Sequence, residues 1–243
     1  MKIFAVNGSP NMKKGMTHIL LNNFLEGARE AGAEVETVFL QKKKINYCIG
    51  CFTCWVKTPG VCIHKDDMVE LLDKVREADC LVIGTPLYVD GMTAQTKTFL
   101  DRIIPLSDPH FELVDGHYRH PRRDGEKPAD VVLASVCGFY ERDNFDGLID
   151  HMERICRNMQ VRFVGAVVRP SSYIFTLEKV LADPVREIKE AARRAGRELV
   201  ETGELSAQVL DDVARDYLPR DVFLKGSNEF WDRCIEAGEF LAL

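Results

Sequence analysis

The sequence lacks any uninterrupted run of eighteen apolar residues, about the length that a membrane-spanning helix needs. The opening residues MKIFAVNGSP also hold too few apolar residues for the core of a signal peptide, and they fit a first β-strand better. We therefore expect a cytoplasmic protein. In such a reducing compartment, the eight cysteines indicate metal or redox chemistry rather than structural disulfides.

An excess of positive charge is also absent, since the formal net charge is −6. The basic clusters at 42–44 and at Arg119, Arg122 and Arg123 are too short to form a nucleic-acid face, and they fit solvated loops. No internal repeat or low-complexity tract is visible. The 243 residues, 46% of them hydrophobic, suit one large globular domain or one domain with appendages.

Short apolar runs alternate with amphipathic helical segments along most of the chain. Cys80–Thr85 is apolar almost throughout, which is typical of a strand that is covered on both faces. Asp67 and Glu70 form a D-x-x-E pattern that predicts the start of a helix. Five strand and helix repeats predict an α/β fold with a parallel sheet and helices on both faces. The predicted strands are 3–6, 35–40, 80–85, 131–136 and 161–168.

Two segments fall outside this alternation. Residues 105–128 are polar and too long for a plain connector, which predicts a lid, a binding loop or an interface arm. From residue 206 onward the pattern predicts two further helices. The last carries an apolar stripe that could pack on the core or on another subunit, namely Phe230, Trp231, Ile235 and Phe240. We expect a main domain at 1–205, with a cysteine-rich loop at 46–66, and a helical extension at 206–243.

Four cysteines form a C-x₂-C-x₂-C-x₇-C run, namely Cys48, Cys51, Cys54 and Cys62. Cysteine thiolates ligate both iron–sulfur clusters and zinc. The compact spacing favours a cubane iron–sulfur cluster, because zinc usually takes two well-separated pairs of ligands. Two alternatives stay open, a zinc-bound loop and a loop of reduced cysteines without metal.

Ligands of an open parallel sheet bind beyond the carboxyl ends of its strands, which here are followed by the loops 8–16, 86–92 and 137–140. The first loop offers glycines, hydroxyls and a helix start, which suit a phosphate, although it matches neither the Walker loop nor G-x-G-x-x-G. The other two offer glycine beside Tyr88 and Phe139, which suit a flat heteroaromatic ring. Together they predict a pocket for a mononucleotide with a large planar base. The structural alternatives are a tight turn with a threonine N-cap and aromatic residues that only close the core.

Three motifs follow one another in the sequence: NGSP…G-x-T, then C-x-G-C-x-x-C…C…DDM, then GTPLY…M-x-A-x-x-K-x-F-L-D-R. This series resembles the flavodoxin-like NAD(P)H-dependent FMN reductase superfamily, and within it is most similar to the iron–sulfur flavoproteins. The resemblance covers residues 1–170 approximately and is most specific over 46–104. It implies a flavodoxin-like, doubly wound five-stranded parallel sheet in the order 2-1-3-4-5, with helices on both faces and a C-terminal helical extension.

The resemblance also implies FMN that is bound without a covalent bond. Matching positions would place its phosphate at Ser9, Pro10 and Thr17, its ring against Pro86, Leu87, Tyr88, Gly91 and Met92, and the other ring edge at Gly138 and Phe139. Met16 and His18 are also expected among the cofactor-binding residues. The four cysteines of the run would be the metal ligands. Two positions depart from the family, which usually has arginine where Asn11 stands and asparagine where Met16 stands. Lys13 or Lys14 would then supply the missing charge.

The implied function is that of an FMN-dependent oxidoreductase. Electrons from NAD(P)H as co-substrate, or from a reduced carrier such as ferredoxin, would pass through FMN to a quinone, a flavin or another small acceptor. A 4Fe-4S cluster in the cysteine loop would relay single electrons. No catalytic side chain is expected, because the flavin carries the chemistry. The alternatives are a non-enzymatic flavodoxin-like electron carrier and a flavin protein whose cysteine loop is metal-free or zinc-bound. A homodimer or homotetramer is expected.

Overall fold

The computed structural model of the chain describes residues 1–125 and 127–241. These residues contain seven strands, which are β1 (Lys2–Asn7), β2 (Glu34–Phe39), β3 (Cys80–Pro86), β4 (Glu112–Val114), β5 (His117–Arg119), β6 (Asp130–Val136) and β7 (Phe163–Arg169). Five strands form a parallel sheet in the order β2-β1-β3-β6-β7, and β4 pairs with β5 in a separate antiparallel hairpin. Without the hairpin this is the order 2-1-3-4-5, so the predicted flavodoxin-like fold is confirmed.

Helices cover both faces of the sheet. The α-helices of the described residues are α1 (Met16–Glu30), α2 (Thr53–Val56), α3 (Met68–Glu77), α4 (Ala94–Asp101), α5 (Asp146–Asn158), α6 (Ala182–Thr202), α7 (Ala207–Ala214) and α8 (Arg220–Ala237). Side chains of α1, α6 and α7 share one hydrophobic core with the sheet, and those of α3, α4 and α5 share a second core. In the described part of the chain, no helix combines the length and apolarity that crossing a bilayer requires.

The alternation of side chains along each strand explains the two cores. In β1, Ile3 and Ala5 join the core of α1, whereas Phe4 and Val6 join the core of α3. All seven residues of β3 are buried, because this central strand is covered on both faces. The continuous apolar run in the sequence is the direct result of this position.

The start of α3 differs in detail from its prediction. The D-x-x-E pattern assigned the capping role to Asp67, but the side chain that accepts from the first turn is that of Asp66, whose Oδ1 lies 3.2 Å from Met68 N. Asp67 Oδ2 instead accepts from Lys44 N at 2.7 Å. The predicted capping box is therefore wrong, because both carboxylates hold the chain that enters the cysteine-rich loop.

The C-terminal segment has two parts. Val209 and Val213 of α7 are buried in the core that α1 and α6 share. Beyond it, Phe230, Trp231 and Phe240 pack on one another with ring centroids 5.5 to 6.0 Å apart. These three side chains of the predicted stripe thus pack against one another. The domain division at residue 205 stays a prediction.

Candidate functional site

Three loops meet at the carboxyl edge of the sheet, where the sequence places a ligand. The first loop follows β1, and Gly8 N donates to Gly84 O of β3 at 2.7 Å. The second loop follows β3, and Thr93 at its end donates from Oγ1 to Gly8 O at 2.8 Å. Leu87 N, in the same loop, donates to Val136 O at the end of β6 at 2.9 Å. These bonds connect the three loops, and the region that the loops border is here called the cleft.

The first loop forms a tight polar turn. Ser9 is buried, and its backbone N donates to Asn7 Oδ1 at 2.9 Å. Asn7 Nδ2 is also buried and has no hydrogen-bond partner within the described chain. A buried donor left without an acceptor costs about 1–3 kcal/mol. An anionic group bound here would supply the acceptor that this amide lacks.

Two glycines allow the close approach in this loop. A Cβ on Gly8 would lie 1.9 Å from Thr96 Oγ1, and a Cβ on Gly15 would lie 2.7 Å from Ser9 Oγ. Gly15 is also the N-cap of α1 and has no side chain to accept from the first backbone amides of the helix. Free amides and the helix dipole favour an anion at this position. The turn therefore fits the phosphate end of a nucleotide.

His18 lies at the same end of α1, with its ring 5.5 Å from that of Phe39. Burial lowers the pKa of His18, and the charge of Lys13 lowers it further. The imidazole is therefore neutral at neutral pH, and its Nδ1 is buried with no partner among the described residues. The predicted phosphate residues thus share one corner of the cleft. Their role in binding stays a prediction.

The second loop presents an aromatic side chain to solvent. Tyr88 and Gly91 bond through both their backbone groups, at 2.9 and 3.1 Å, and close a two-residue turn. Val89 and Asp90 within it have positive φ angles of 48° and 57°, as a type I′ turn requires. The turn leaves Tyr88 48% exposed. A flat ring could therefore rest on it from the open side.

The third loop provides a second exposed aromatic ring, that of Phe139, which is 58% exposed beside Gly138. Cys137 at its base is buried, and burial raises the pKa of this thiol to about 11. It is therefore protonated at neutral pH, and a buried, protonated thiol is a poor nucleophile.

Tyr173 is a residue of this site that the sequence analysis missed. A Cβ on Gly138 would lie 3.1 Å from the Tyr173 ring, so the two are in contact. Burial raises the pKa of Tyr173, and the phenol of Tyr88 raises it further, so the second and third loops meet at this side chain. No local pattern marks it, because it follows β7 and reaches the cleft only through the strand order.

A second site lies in the cysteine-rich loop. One cavity is lined by all four cysteines of the run together with other residues, including His64, Arg102 and Ile104. Hydrogen bonds from Thr53, first from its side chain and then from its backbone, lower the pKa of Cys51. Burial raises the pKa of Cys54, and the charges of the other three cysteines raise it further. The four predicted ligands therefore lie together.

The spacing of these sulfurs bears on the kind of centre that they fit. Within residues 1–125 and 127–241, no group of three or more His, Cys, Asp and Glu side chains is placed to hold one metal ion. Four sulfurs around one zinc would each lie about 2.3 Å from it. A cubane cluster instead takes one cysteine on each of its irons. Cysteine thiolates around one cavity are ligands that zinc and a cubane cluster both accept, so the choice of a cluster stays a prediction from the spacing in the sequence.

Helix α4 lies between the two sites. Its N-cap is Thr93, whose side chain ties the first loop to the second. Its C-cap is Arg102, which lines the cysteine cavity. At 1.5 Å per residue these two positions are about 13 Å apart along the helix axis. The cleft and the cysteine cavity are thus separate sites on one short rigid element.

A five-stranded parallel sheet of this order, with an open cleft at its carboxyl edge, defines a flavodoxin-like protein. The sequence profile of the NADPH-dependent FMN reductase family matches residues 1–117. An iron-sulfur flavoprotein of Archaeoglobus fulgidus is 42% identical over 118 residues, which are 49% of this chain and 51% of that protein. An iron-sulfur flavoprotein of Methanocaldococcus jannaschii is 44% identical over 102 residues, which are 42% of this chain and 50% of that protein.

Among solved structures, an FMN-dependent NADH-azoreductase of Bacillus anthracis in complex with FMN has a TM-score of 0.56 and 18% identity, over 79% of this chain and 98% of that chain. This likeness concerns the fold alone. The chain spans about half the length of the two flavoproteins that it matches. Its amino-terminal half is related to the NADPH-dependent FMN reductases and to the iron-sulfur flavoproteins, which confirms the resemblance that the motifs indicate.

Proposed function

We propose that the protein is an FMN-dependent oxidoreductase that passes electrons from NAD(P)H or a reduced carrier protein to a quinone, a flavin or another small acceptor. The observation that carries the proposal is the cleft itself. Its three loops meet at one edge of the sheet, tied by the bond from Thr93 Oγ1 to Gly8 O. One end offers an anion site and the other offers exposed aromatic rings.

The residues of the cleft divide the binding of FMN between them. The turn around Ser9 and the start of α1 would hold the phosphate, with Asn7 Nδ2 as a buried donor that awaits an acceptor. Tyr88, Phe139 and Tyr173 would flank the ring. When bound, FMN accepts electrons from the donor and passes them to the acceptor, which is chemistry that side chains do not supply. The protein orients the ring and leaves one side open.

The same open side would serve donor and acceptor in turn. Tyr88 and Phe139 are about half exposed, so neither covers the cleft as a fixed lid. A nicotinamide ring and a quinone are both flat, and each could rest where the other has left. The proposal assigns the electron transfer to the flavin and not to a side chain.

The cysteine cavity would hold a 4Fe-4S cluster. Cys48, Cys51, Cys54 and Cys62 would be the ligands, since all four line one cavity and their compact spacing in the sequence favours a cubane cluster. Such a centre exchanges single electrons, so it would connect a one-electron donor such as a ferredoxin to FMN. Arg102, which lines this cavity, lies about 13 Å along α4 from Thr93 at the cleft, and this separation supports a relay and not direct contact with the acceptor.

The proposal is tested on protein purified without oxygen. A flavin absorbance spectrum, iron and acid-labile sulfide per chain, and steady-state turnover of NADH and NADPH with a quinone are measured on the same preparation. We expect one FMN per chain, iron with sulfide, and turnover that is lost when FMN is removed and regained when it is returned. Flavin without turnover would identify an electron carrier. Zinc without sulfide would assign the loop to a structural metal, and absence of flavin at excess FMN would refute the proposal.

The protein is further proposed to be a homodimer or homotetramer. The exposed apolar residues of α8 support this, since Ile235 is 75% exposed and Leu224 is 60% exposed. Light scattering at micromolar concentration measures the assembly directly. A monomer across that range would contradict it.

A further inference from the structure

A buried arginine stands at the base of the cysteine-rich loop. Arg102 follows α4 and is 1% exposed, and its partner Asp66 is 5% exposed. The two form a bidentate pair, with Arg102 Nη1 2.8 Å from Asp66 Oδ2 and Nη2 3.0 Å from Oδ1. Such fork-to-fork pairs fix orientation as well as charge. Burial alone would raise the pKa of Asp66, but the bonds from Arg102 and Asn46 outweigh it and hold the pKa well below its usual range.

The same carboxylate joins the two ends of the loop. Asp66 Oδ2 accepts from Asn46 N at 2.8 Å and from Asn46 Nδ2 at 2.9 Å, just before the first cysteine. Asp66 Oδ1 accepts from Met68 N at 3.2 Å, just after the last cysteine. Arg102 Nη1 completes the arrangement by donating to Asn46 O at 2.6 Å. One ion pair thus closes residues 46–66 into a ring and fastens the ring to α4.

Arg102 also borders the cavity that the cysteines surround. It is among the residues that line the cavity, and its guanidinium interacts with Cys62. Its Nε is buried and has no hydrogen-bond partner in the described part of the chain. At least one donor of this cavity-lining guanidinium is therefore left without an acceptor in the described part of the chain. Anionic thiolates, or the sulfides of a cluster, would supply an acceptor.

We propose that Arg102 is the positioning residue of the cysteine site, which holds the four thiols around one cavity before any metal centre is bound. Through Asp66 it fixes both ends of the loop, and its buried charge lies against the sulfur ligands. Only the interaction of the Arg102 charge with the sulfur ligands rests on the proposed cluster. The positioning of the loop is a property of the metal-free chain.

Other contacts hold the far side of the loop but are of a different kind. Trp55 Nε1 donates to Ile104 O at 3.2 Å, Arg76 Nη2 to Gly60 O at 2.9 Å, and Arg123 Nη2 to Cys54 O at 3.4 Å. Each is a single bond to one backbone carbonyl. At the base, Asp66 bonds to Asn46 at the other end of the loop, and Arg102 fastens both residues to α4, beside the bond from Lys44 N to Asp67 Oδ2. Loss of the Asp66–Arg102 pair should therefore release more of the loop than the loss of any of these three bonds.

The test uses two variants and one matched control. Arg102→Lys keeps the charge but cannot make the bidentate pair. The double variant Arg102→Met with Asp66→Asn removes both charges, so that no unpaired carboxylate is left buried if the single change impairs folding. The control is Arg169→Lys, because Arg169 is equally buried, at 1% exposed, and donates to Val213 O and Arg215 O away from the loop.

Two measurements are made on the full chain. The first is the rate of trypsin cleavage after Lys57, an exposed lysine within the loop, in metal-free protein. The second is the rate of iron release to a chelator from protein purified without oxygen. We expect both variants to be cleaved faster than wild type and to release iron faster, by about tenfold or more, as is typical when a ligand-supporting residue is lost. The control should match wild type in both.

Cleavage and iron release at wild-type rates in both variants would overturn the proposal. Equal acceleration in the control would also overturn it, because the effect would then follow from the loss of any buried arginine. If wild type itself holds no iron and sulfide, the cluster and the part of the inference that concerns it fail together. The cleavage rates would still decide whether Arg102 positions the loop.

Discussion

Replacing Thr93 with valine tests whether the cleft depends on the bond between its first two loops. Thr93 is 2% exposed, and its Oγ1 makes two bonds to backbone groups besides its hydrogen bond with Thr96 Oγ1 at 2.9 Å. It donates to Gly8 O at 2.8 Å, and it accepts from Thr96 N at 3.4 Å as the N-cap of α4. Valine has nearly the same shape, so the change removes the hydroxyl without opening a cavity.

The size of the effect follows from these two bonds. Loss of the N-cap costs about 1 kcal/mol. Gly8 O, left buried without its donor, costs about 1–3 kcal/mol more. The free energy of unfolding of the flavin-free protein should therefore fall by about 2–4 kcal/mol in total. Because the bond also sets the distance between the two loops, the affinity for FMN should fall by about tenfold, which corresponds to 1.4 kcal/mol.

Urea unfolding of the flavin-free protein measures the first quantity, and titration with FMN below the unfolding transition measures the second. Ser206→Ala is the control, because Ser206 caps α7 by the same kind of bond, at 3.3 Å to Val209 N, away from the cleft. It should lose about 1 kcal/mol and keep its affinity for FMN. A Thr93→Val protein that is destabilised but binds FMN as tightly as wild type would refute the idea that this bond shapes the cleft.

Two further outcomes are expected from single positions. Tyr88→Ala should lower FMN retention, because it removes an exposed ring from the cleft. The control is Tyr118→Ala, at a tyrosine of β5 that is 75% exposed, which should leave FMN retention unchanged. Unchanged flavin content in the Tyr88 variant would remove Tyr88 from the site. In metal-free protein at pH 7.5, alkylation should reach the exposed Cys51, whose pKa is lowered, before the buried Cys137, whose pKa is raised to about 11. Since the thiolate is the reactive form, Cys137 should gain reactivity only as the pH rises towards 11, and equal rates at pH 7.5 would contradict its burial.

Local pattern was sufficient for the sheet but not for every element. β3 could be predicted because a strand with two covered faces must be apolar at every position. The hairpin of β4 and β5 was missed although a local signal exists. Asp115 and Gly116 join the two strands with φ angles of 49° and 76°, as expected for an Asp-Gly turn. The strands are only three residues long and mostly exposed, so their alternation is too short to recognise.

The loops of the cleft were predicted in the right places because topology alone sets them at the carboxyl edge. The contacts between these loops could not be predicted, because each contact joins residues that are far apart in the sequence. Thr93 reaches Gly8 across 85 positions, and Tyr173 reaches Gly138 only after β7 has taken its place in the sheet. A cap such as Thr93 has a local signal, but its second bond has none.

The same distinction explains the cysteine loop. The spacing of the four cysteines in the sequence predicts that they act together. The residue that fixes their loop has no such local signal, because Arg102 lies 36 positions from its partner Asp66. Arg102 ends the helix that Thr93 begins, so one helix of eight residues fastens the cleft at one end and the cysteine cavity at the other. A movement of α4 along its axis would have to break the buried bond at Gly8 or the buried pair at Asp66. The two ends of α4 are therefore held at a constant separation, as the proposed relay of electrons would require.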